Sequence, residues 1–450
     1  MSRPRGICIA AADYSVAPWV LQAQAPERYP FLLESAARDG QRARYDILFS
    51  GIGEQLSADG AGGFLDRLDL AWSAGARAGQ ATGSRGGLPF VGGWFLYLGY
   101  ELAGEIEPRL QLPSEPRPAA IATRCRAALI RDHHLGQAWL VAEQGAEALL
   151  GDMARDLRQA AKGVSEPVLA PAVRIEEDPP ERYREAVRRA RAHIGAGDVF
   201  QANLSRAWQA HYATPPDPLA LYLALCRSNP GPFAGIARWP EFTVVSSSPE
   251  RLLKVDGELI ESRPIAGTRP RERDDADDRR RQRSLHRSPK ERAEHVMLID
   301  LERNDLGRVC VGGSVRVDEF MALESYAHVH HIVSNVSGRL RPDVTPGQAI
   351  AALFPGGTIT GCPKVRCMEL IAQLEGRPRG PYTGSMGYLG HDGSMDLNIL
   401  IRTLVQEGDR VSLRAGAGIV ADSRPNRELA ETRAKARGLL LALGEAAACG

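Results

Sequence analysis

Apolar and small residues recur at helical spacing through ERYREAVRRARAHIGAGD, and Gly195 and Gly197 close the run, so the pattern predicts a helix with a glycine stop. Further on the period drops to two. RLLKV and ELIES flank Asp256 and Gly257, the favoured two-residue turn of a β-hairpin. SMGYL, DLNILIRTLV and RVSLRAGAGIV, separated by HDG and EGD, predict three strands of an antiparallel meander. Such short connections argue against a Rossmann sheet, and GAGI at Gly416 to Ile419 lacks the GxGxxG spacing of a dinucleotide loop. No repeat at a period of roughly 20 to 50 residues is present, which removes solenoids and propellers. Gly163 to Pro180 holds four prolines and several charges without helical period. It reads as a linker between an N-terminal region, 1–165, and a longer region, 180–445, both mixed α and β.

Composition acts by exclusion. The 450 residues are 44% hydrophobic and 25% charged, close to the globular average, and no run of about 18 apolar residues could span a bilayer. With 56 Lys and Arg against 55 Asp and Glu, the net charge of +1 gathers neither nucleic acid nor anionic membrane. Seven cysteines without a CxxC pair are the usage of reduced thiols. The apolar stretch in MSRPRGICIAAADYS is broken by Asp13 and is too short for a signal peptide. These features predict a cytoplasmic protein.

Several segments could carry chemistry. In SPKERAEHVMLIDLERNDLGR, Ser288 suits a helix cap and Pro289 the first turn. Glu291 either completes a capping box or shares a face with Glu294, one turn further on. DSRPNRELAETRAKARGLLLALG opens a helix near Pro425 and repeats the offset with Glu428 and Glu431, with Lys435 four residues after Glu431. Alone it reads as an exposed helix with Glu–Lys pairs; facing the first helix, it would complete a hard oxygen site suited to Mg2+. FPGGTITGCPKVRCMELIAQLEG is a glycine-rich turn feeding a helix, either a simple tight turn or a backbone N–H pocket for an anion. Arg402, alternating among apolar neighbours, requires a carboxylate from the protein or from a ligand. In AHVHHIVS, His328 and His330 share one strand face and His331 the other, which disfavours a three-histidine zinc site. RPRERDDADDRRRQRSLHRSPKER reads as a solvated, partly mobile loop rather than an RNA-binding strip.

In order along the chain, GDVFQANLSR, SSSPERLL, RPIAGTRPR, KERAEHVMLIDLERNDLGRV, HHIVSNVSG, FPGGTITGCPKVRCMELI, GSMGYL, MDLNILIRT, AGAGIVADS and ELAETRAKA resemble the chorismate-using enzymes. That group includes anthranilate synthase component I, aminodeoxychorismate synthase component I, isochorismate synthase and salicylate synthase. The N-terminal region matches more loosely through PFLLES, RYDIL and FVGGWFLYLGYEL. The resemblance implies an α+β fold of the anthranilate synthase component I type, with antiparallel sheets packed together, helices outside and the active site between the sheets. It implies that Glu294 and Glu431 bind Mg2+ directly while Glu291 and Glu428 hold its waters. Tyr382, Arg402, Lys435 and the backbone at Gly416 and Gly418 would hold the side-chain carboxylate of chorismate, with help from Thr358. Glu250 would be the general acid on the leaving ring hydroxyl, His331 a polar or proton-transfer partner, and Thr268 a further catalytic residue. A carboxylic acid kept protonated in a dry site suits a poor leaving group such as hydroxide.

Within the group, compact length, FPGGTITG, GSMGYL and MDLNILIRT resemble aminodeoxychorismate synthase component I, which aminates chorismate at C4 for 4-aminobenzoate and folate synthesis. Ala266 in PIAGT points instead to anthranilate synthase component I, since many aminodeoxychorismate synthases carry a nucleophilic lysine there. Leu33, Glu34 and Ser35 with Pro232 and Phe233 resemble a tryptophan pocket of the anthranilate enzymes. No glutaminase sequence is present, so both readings imply ammonia from a separate glutamine amidotransferase subunit. The expected order is aminodeoxychorismate synthase first, anthranilate synthase second.

Overall fold

The computed structural model describes residues 7–36, 44–58, 63–75, 86–271, 274–325 and 329–444. Its strands form one antiparallel hydrogen-bonded network that forks at the long strand Ala120–Asp132. One branch runs from there through Tyr45–Ser57, Phe31–Glu34, Phe233–Arg238, Thr243–Ser248, Thr403–Glu407 and Arg410–Ile419 to Gln201–His211. The other runs through Gly93–Leu98, Ser385–Gly390, Met395–Asn398, Arg251–Asp256 and Leu259–Arg263 to Val329–Arg339. Strands of the 1–165 region thus pair directly with strands after residue 230 in both branches.

The alternation of side chains explains why the branches close on each other. Phe95 and Tyr97 point into a core made of strand faces and loops, with Phe31, Phe49, Val244 and Tyr388. Their neighbours Trp94, Leu96 and Leu98 point outward, into a second core covered by the helices Phe64–Gly75, Pro289–Gly307 and Pro346–Leu353. A strand buried on both faces must lie between layers. The opposite outer face is covered by the helices Ala148–Ala160, Pro218–Ser228 and Pro425–Ala442. This is the α+β arrangement the sequence predicts, with two sheets face to face and helices outside.

The helix Pro180–Gly195 and the hairpin Arg251–Asp256/Leu259–Arg263 form as expected, with Gly257 at φ 61° in the turn. Three expectations need correction. DLNILIRTLV is not one strand: Met395–Asn398 and Thr403–Glu407 belong to different branches, and the chain breaks between them so that Arg402 takes φ 54°. The Arg-rich stretch is not a loop but contains the helix Asp275–Arg287, capped by Asp274, whose side chain accepts from the Ala276 and Asp277 amides. Asp278 docks this helix by accepting from His330 at 2.8 Å and Arg271 at 3.2 Å. Within the expected linker, Arg174–Glu177 is a strand paired with Gln201–His211. Among the described residues no helix is long and apolar enough to cross a membrane.

Candidate functional site

A cavity of about 790 Å3 opens between the far ends of the two branches. Gln201, Asn203 and Gly418 line it from one sheet and Ile265 to Gly267, Arg269 and Val329 from the other. The two glutamate helices close it, so Glu291, Glu294, Glu428 and Glu431 all face one space together with Lys435. Ser288 caps the first helix by accepting from the Glu291 amide at 3.4 Å. The reciprocal half of a capping box is replaced: the Glu291 carboxylate pairs with Arg269 at 2.9 Å. Glu431 pairs with Lys435 at 2.8 Å, and Lys435 also donates to the Gly416 carbonyl at 3.0 Å.

Among the described residues no three His, Cys, Asp or Glu side chains cluster tightly enough to enclose a metal ion. Mg2+ does not need such a cage, because it keeps several waters and takes one or two carboxylates. Four carboxylates around one cavity are a hard-oxygen donor set of that kind.

Arg402 lines the cavity, and among the described residues no carboxylate forms an ion pair with it. Burial pushes its pKa down to about 10, against the pull of Tyr382 and Glu431. A half-buried guanidinium without an ion-paired protein carboxylate is complementary to an anionic ligand, and its left-handed backbone is the strain expected where position matters more than comfort. The wall beside it is kept thin by glycine. A Cβ on Gly416 would lie 2.7 Å from the Tyr382 hydroxyl oxygen and 2.8 Å from Asn203 Oδ1, and one on Gly418 would lie 2.6 Å from Gln201 Nε2.

Glu250 is buried beside Ile265, which lines the cavity. Desolvation pushes its pKa up to about 8, raised further by Glu302 and opposed by the Thr358 hydroxyl, the Ile265 amide and Lys435. It is therefore a protonated acid at neutral pH. The Ile265 amide donates to Glu250 Oε1 at 3.2 Å. Thr358 lines the cavity from the short turn Gly357–Ile359. His331 is buried, and desolvation with Arg402, Lys435 and His330 holds its pKa down at about 3, so the ring stays neutral and serves as a polar group rather than a base. Thr268 is placed by its backbone, opposite His331. His328 lies outside the described residues.

The start of the helix Lys364–Glu375 does not open into this cavity. Cys362 to Arg366 line a different groove, on the outer side of the first glutamate helix, and only Thr358 turns to the cavity. Leu33, Glu34, Ser35, Pro232 and Phe233 come together in a second cavity of about 570 Å3, with Arg251, Met386 and Tyr388. Sequence reasoning missed Gln201 and Asn203, whose side-chain oxygens are buried without a hydrogen-bond partner at the first cavity. Their signal was available: residues two apart on a strand share a face, and Asn203 registers with Gly418.

Comparisons with known proteins place the chain in a family. A family model described as chorismate binding enzyme matches residues 29–441. The chain is 44% identical over 358 residues to the anthranilate synthase component I-like protein of Synechocystis sp., covering 79% of this chain and 73% of that one. It is 47% identical over 261 residues to aminodeoxychorismate synthase component 1 of Bacillus subtilis, covering 58% of this chain and 55% of the other. Among solved structures it resembles anthranilate synthase component I from Streptococcus pneumoniae, with a TM-score of 0.74 and 28% identity over 98% of this chain and 93% of that chain.

Proposed function

The chain belongs to the chorismate binding enzyme family, and from that premise we propose that it is an aminodeoxychorismate synthase component I, aminating chorismate at C4 with ammonia from a glutamine amidotransferase partner. The observation that carries chorismate turnover is the meeting of four glutamates, Arg402, Lys435 and Thr358 at one cavity, with a protonated Glu250 beside Ile265 in its lining. The product assignment rests on FPGGTITG, GSMGYL and MDLNILIRT and on the Bacillus subtilis relative.

In this reading Arg402, Tyr382 and Lys435 hold the side-chain carboxylate, with the thin glycine wall at Gly416 and Gly418 admitting it. Glu294 and Glu431 would hold Mg2+, with Glu291 and Glu428 on its waters, and the ion would supply positive charge for the ring carboxylate. Ammonia provides the electron pair of the new C–N bond and the C4–O bond breaks. Glu250 gives its proton to the departing oxygen, which leaves as water. The proton shed by the new ammonium group passes to solvent, exchange with solvent reloads Glu250, and neutral His331 serves as a polar partner. Ala266 lies in the cavity wall where a lysine would stand, so no lysyl adduct forms.

A second reading, anthranilate synthase component I, is favoured by Ala266 and by the second cavity, whose apolar Met386 and Phe233 lie beside Glu34 and Arg251. The purified chain should be given chorismate, Mg2+ and ammonium salt, and its product identified before and after adding a lyase that converts aminodeoxychorismate to 4-aminobenzoate. Lyase-dependent 4-aminobenzoate supports the first reading; anthranilate and pyruvate without lyase establish the second. Glutamine in place of ammonium should give no product from the isolated chain. Glu294→Gln should raise the Mg2+ concentration for half-maximal turnover at least roughly tenfold, since one carboxylate ligand is lost. An unchanged Mg2+ titration would remove Glu294 from the metal site.

A further inference from the structure

Glu302 takes no part in the chemistry above, yet it is a fully enclosed carboxylate behind the general acid. It lies on the first glutamate helix, two turns beyond Glu294 and buried within the core. Its Oε2 accepts from the Ser262 hydroxyl at 2.6 Å and its Oε1 from the Gly357 amide at 3.3 Å. Gly357 starts the turn that presents Thr358 to the cavity, and the turn presses on the helix so tightly that a Cβ on Gly357 would lie 2.5 Å from Leu301 Cδ2. One carboxylate thus ties together the glutamate helix, the strand Leu259–Arg263 and the turn. Asp305, paired with Lys364, adjoins it, and Lys364 donates to the Leu353 carbonyl at 3.0 Å.

Resting on the chorismate reading, we infer that Glu302 is a positioning residue for the general acid: through the Gly357 amide it fixes the turn that carries Thr358, and through Ser262 it fixes the strand that leads to Ile265, whose amide donates to Glu250. It also puts a second carboxyl near Glu250. The charged groups that act most strongly on Glu250 are Glu302 from the first glutamate helix and Lys435 from the second, and its carboxylate accepts from the Ile265 amide. Burial raises the pKa of Glu302 itself to about 7, so it is ionised on the alkaline limb near pH 8, where it disfavours ionisation of Glu250.

The test compares wild type, Glu302→Gln and Glu302→Met. Both variants remove the charge, and only glutamine keeps an acceptor for the Gly357 amide. Glu302→Gln should lower kcat about tenfold with KM for chorismate within about twofold, and Glu302→Met should lower it further. In both, the alkaline limb of kcat should move to lower pH by roughly one unit. Independently of turnover, the infrared carboxyl band that disappears in Glu250→Gln should be lost at lower pH in Glu302→Gln than in wild type. An unmoved band and limb with wild-type kcat overturn the inference. Wild type that leaves chorismate untouched overturns the functional reading instead, while the infrared comparison still judges Glu302. If Glu302→Met does not fold, Ser262→Ala replaces it: loosening of the strand predicts a several-fold loss of kcat at unchanged KM, and wild-type kcat counts against the inference.

Discussion

Glu250→Gln is expected to lower chorismate turnover by about 10³-fold, within the range that a positioned proton donor contributes. Glutamine keeps the shape and an acceptor for the Ile265 amide, so the substrate KM should change little and the protein should fold. The loss isolates the proton. In wild type, activity that needs this acid is present while Glu250 is protonated and falls as pH rises through about 8. The variant's residual rate should lack that limb, and turnover measured from pH 6 to 9 tests both points at once. A variant within a few-fold of wild type would assign the proton elsewhere.

The second large effect is on stability. Glu375 is buried and accepts from Arg379 at 2.6 Å, from Arg414 at 2.6 Å, and from the amide and hydroxyl of Ser205 at 2.9 and 3.0 Å. Burial alone would raise its pKa, but the two guanidiniums hold it below the ordinary carboxylate range. Glu375→Ala strands two buried arginines and should cost about 3–5 kcal/mol, because an uncompensated buried charge is worse than a missing pair. Urea unfolding followed by tryptophan fluorescence measures it. With the folded pKa lowered, the contribution is present above the ordinary carboxylate pKa and is lost as pH falls through the depressed value. The variant's deficit should therefore shrink in acid. Arg379 also donates to the carbonyls of Ile359 and Asn203, which border the Thr358 turn and the cavity, so turnover should fall with stability.

What the sequence made legible was local. The glutamate pairs stand out because the offset of three, the Ser288 cap and the proline starts are all read within one helix. The family blocks identified Glu250, but not why it stays protonated, since that depends on Glu302 and on burial by distant segments. The split of DLNILIRTLV was invisible because apolar residues continue through the break; only the demand of two different sheets, and the left-handed Arg402 between them, interrupts the strand. The helix Asp275–Arg287 was hidden by its charge. Almost every position is polar, and its tether is the buried His330–Asp278 bond to a strand some fifty residues away.

The pairing of Gly93–Leu98 with Ser385–Gly390 sets a timetable for synthesis. One edge of the early strand meets Ala120–Asp132 soon after translation, but the other waits until Gly390, the partner of Gly93, has left the ribosome. At about 5–20 residues per second that delay is on the order of tens of seconds. Throughout it a strand rich in tryptophan, phenylalanine, leucine and tyrosine stands as an open edge, the form that recruits other nascent chains. Soluble yield therefore depends on what shields that edge in the interval, and slower growth or a holding chaperone should raise it without altering the finished protein.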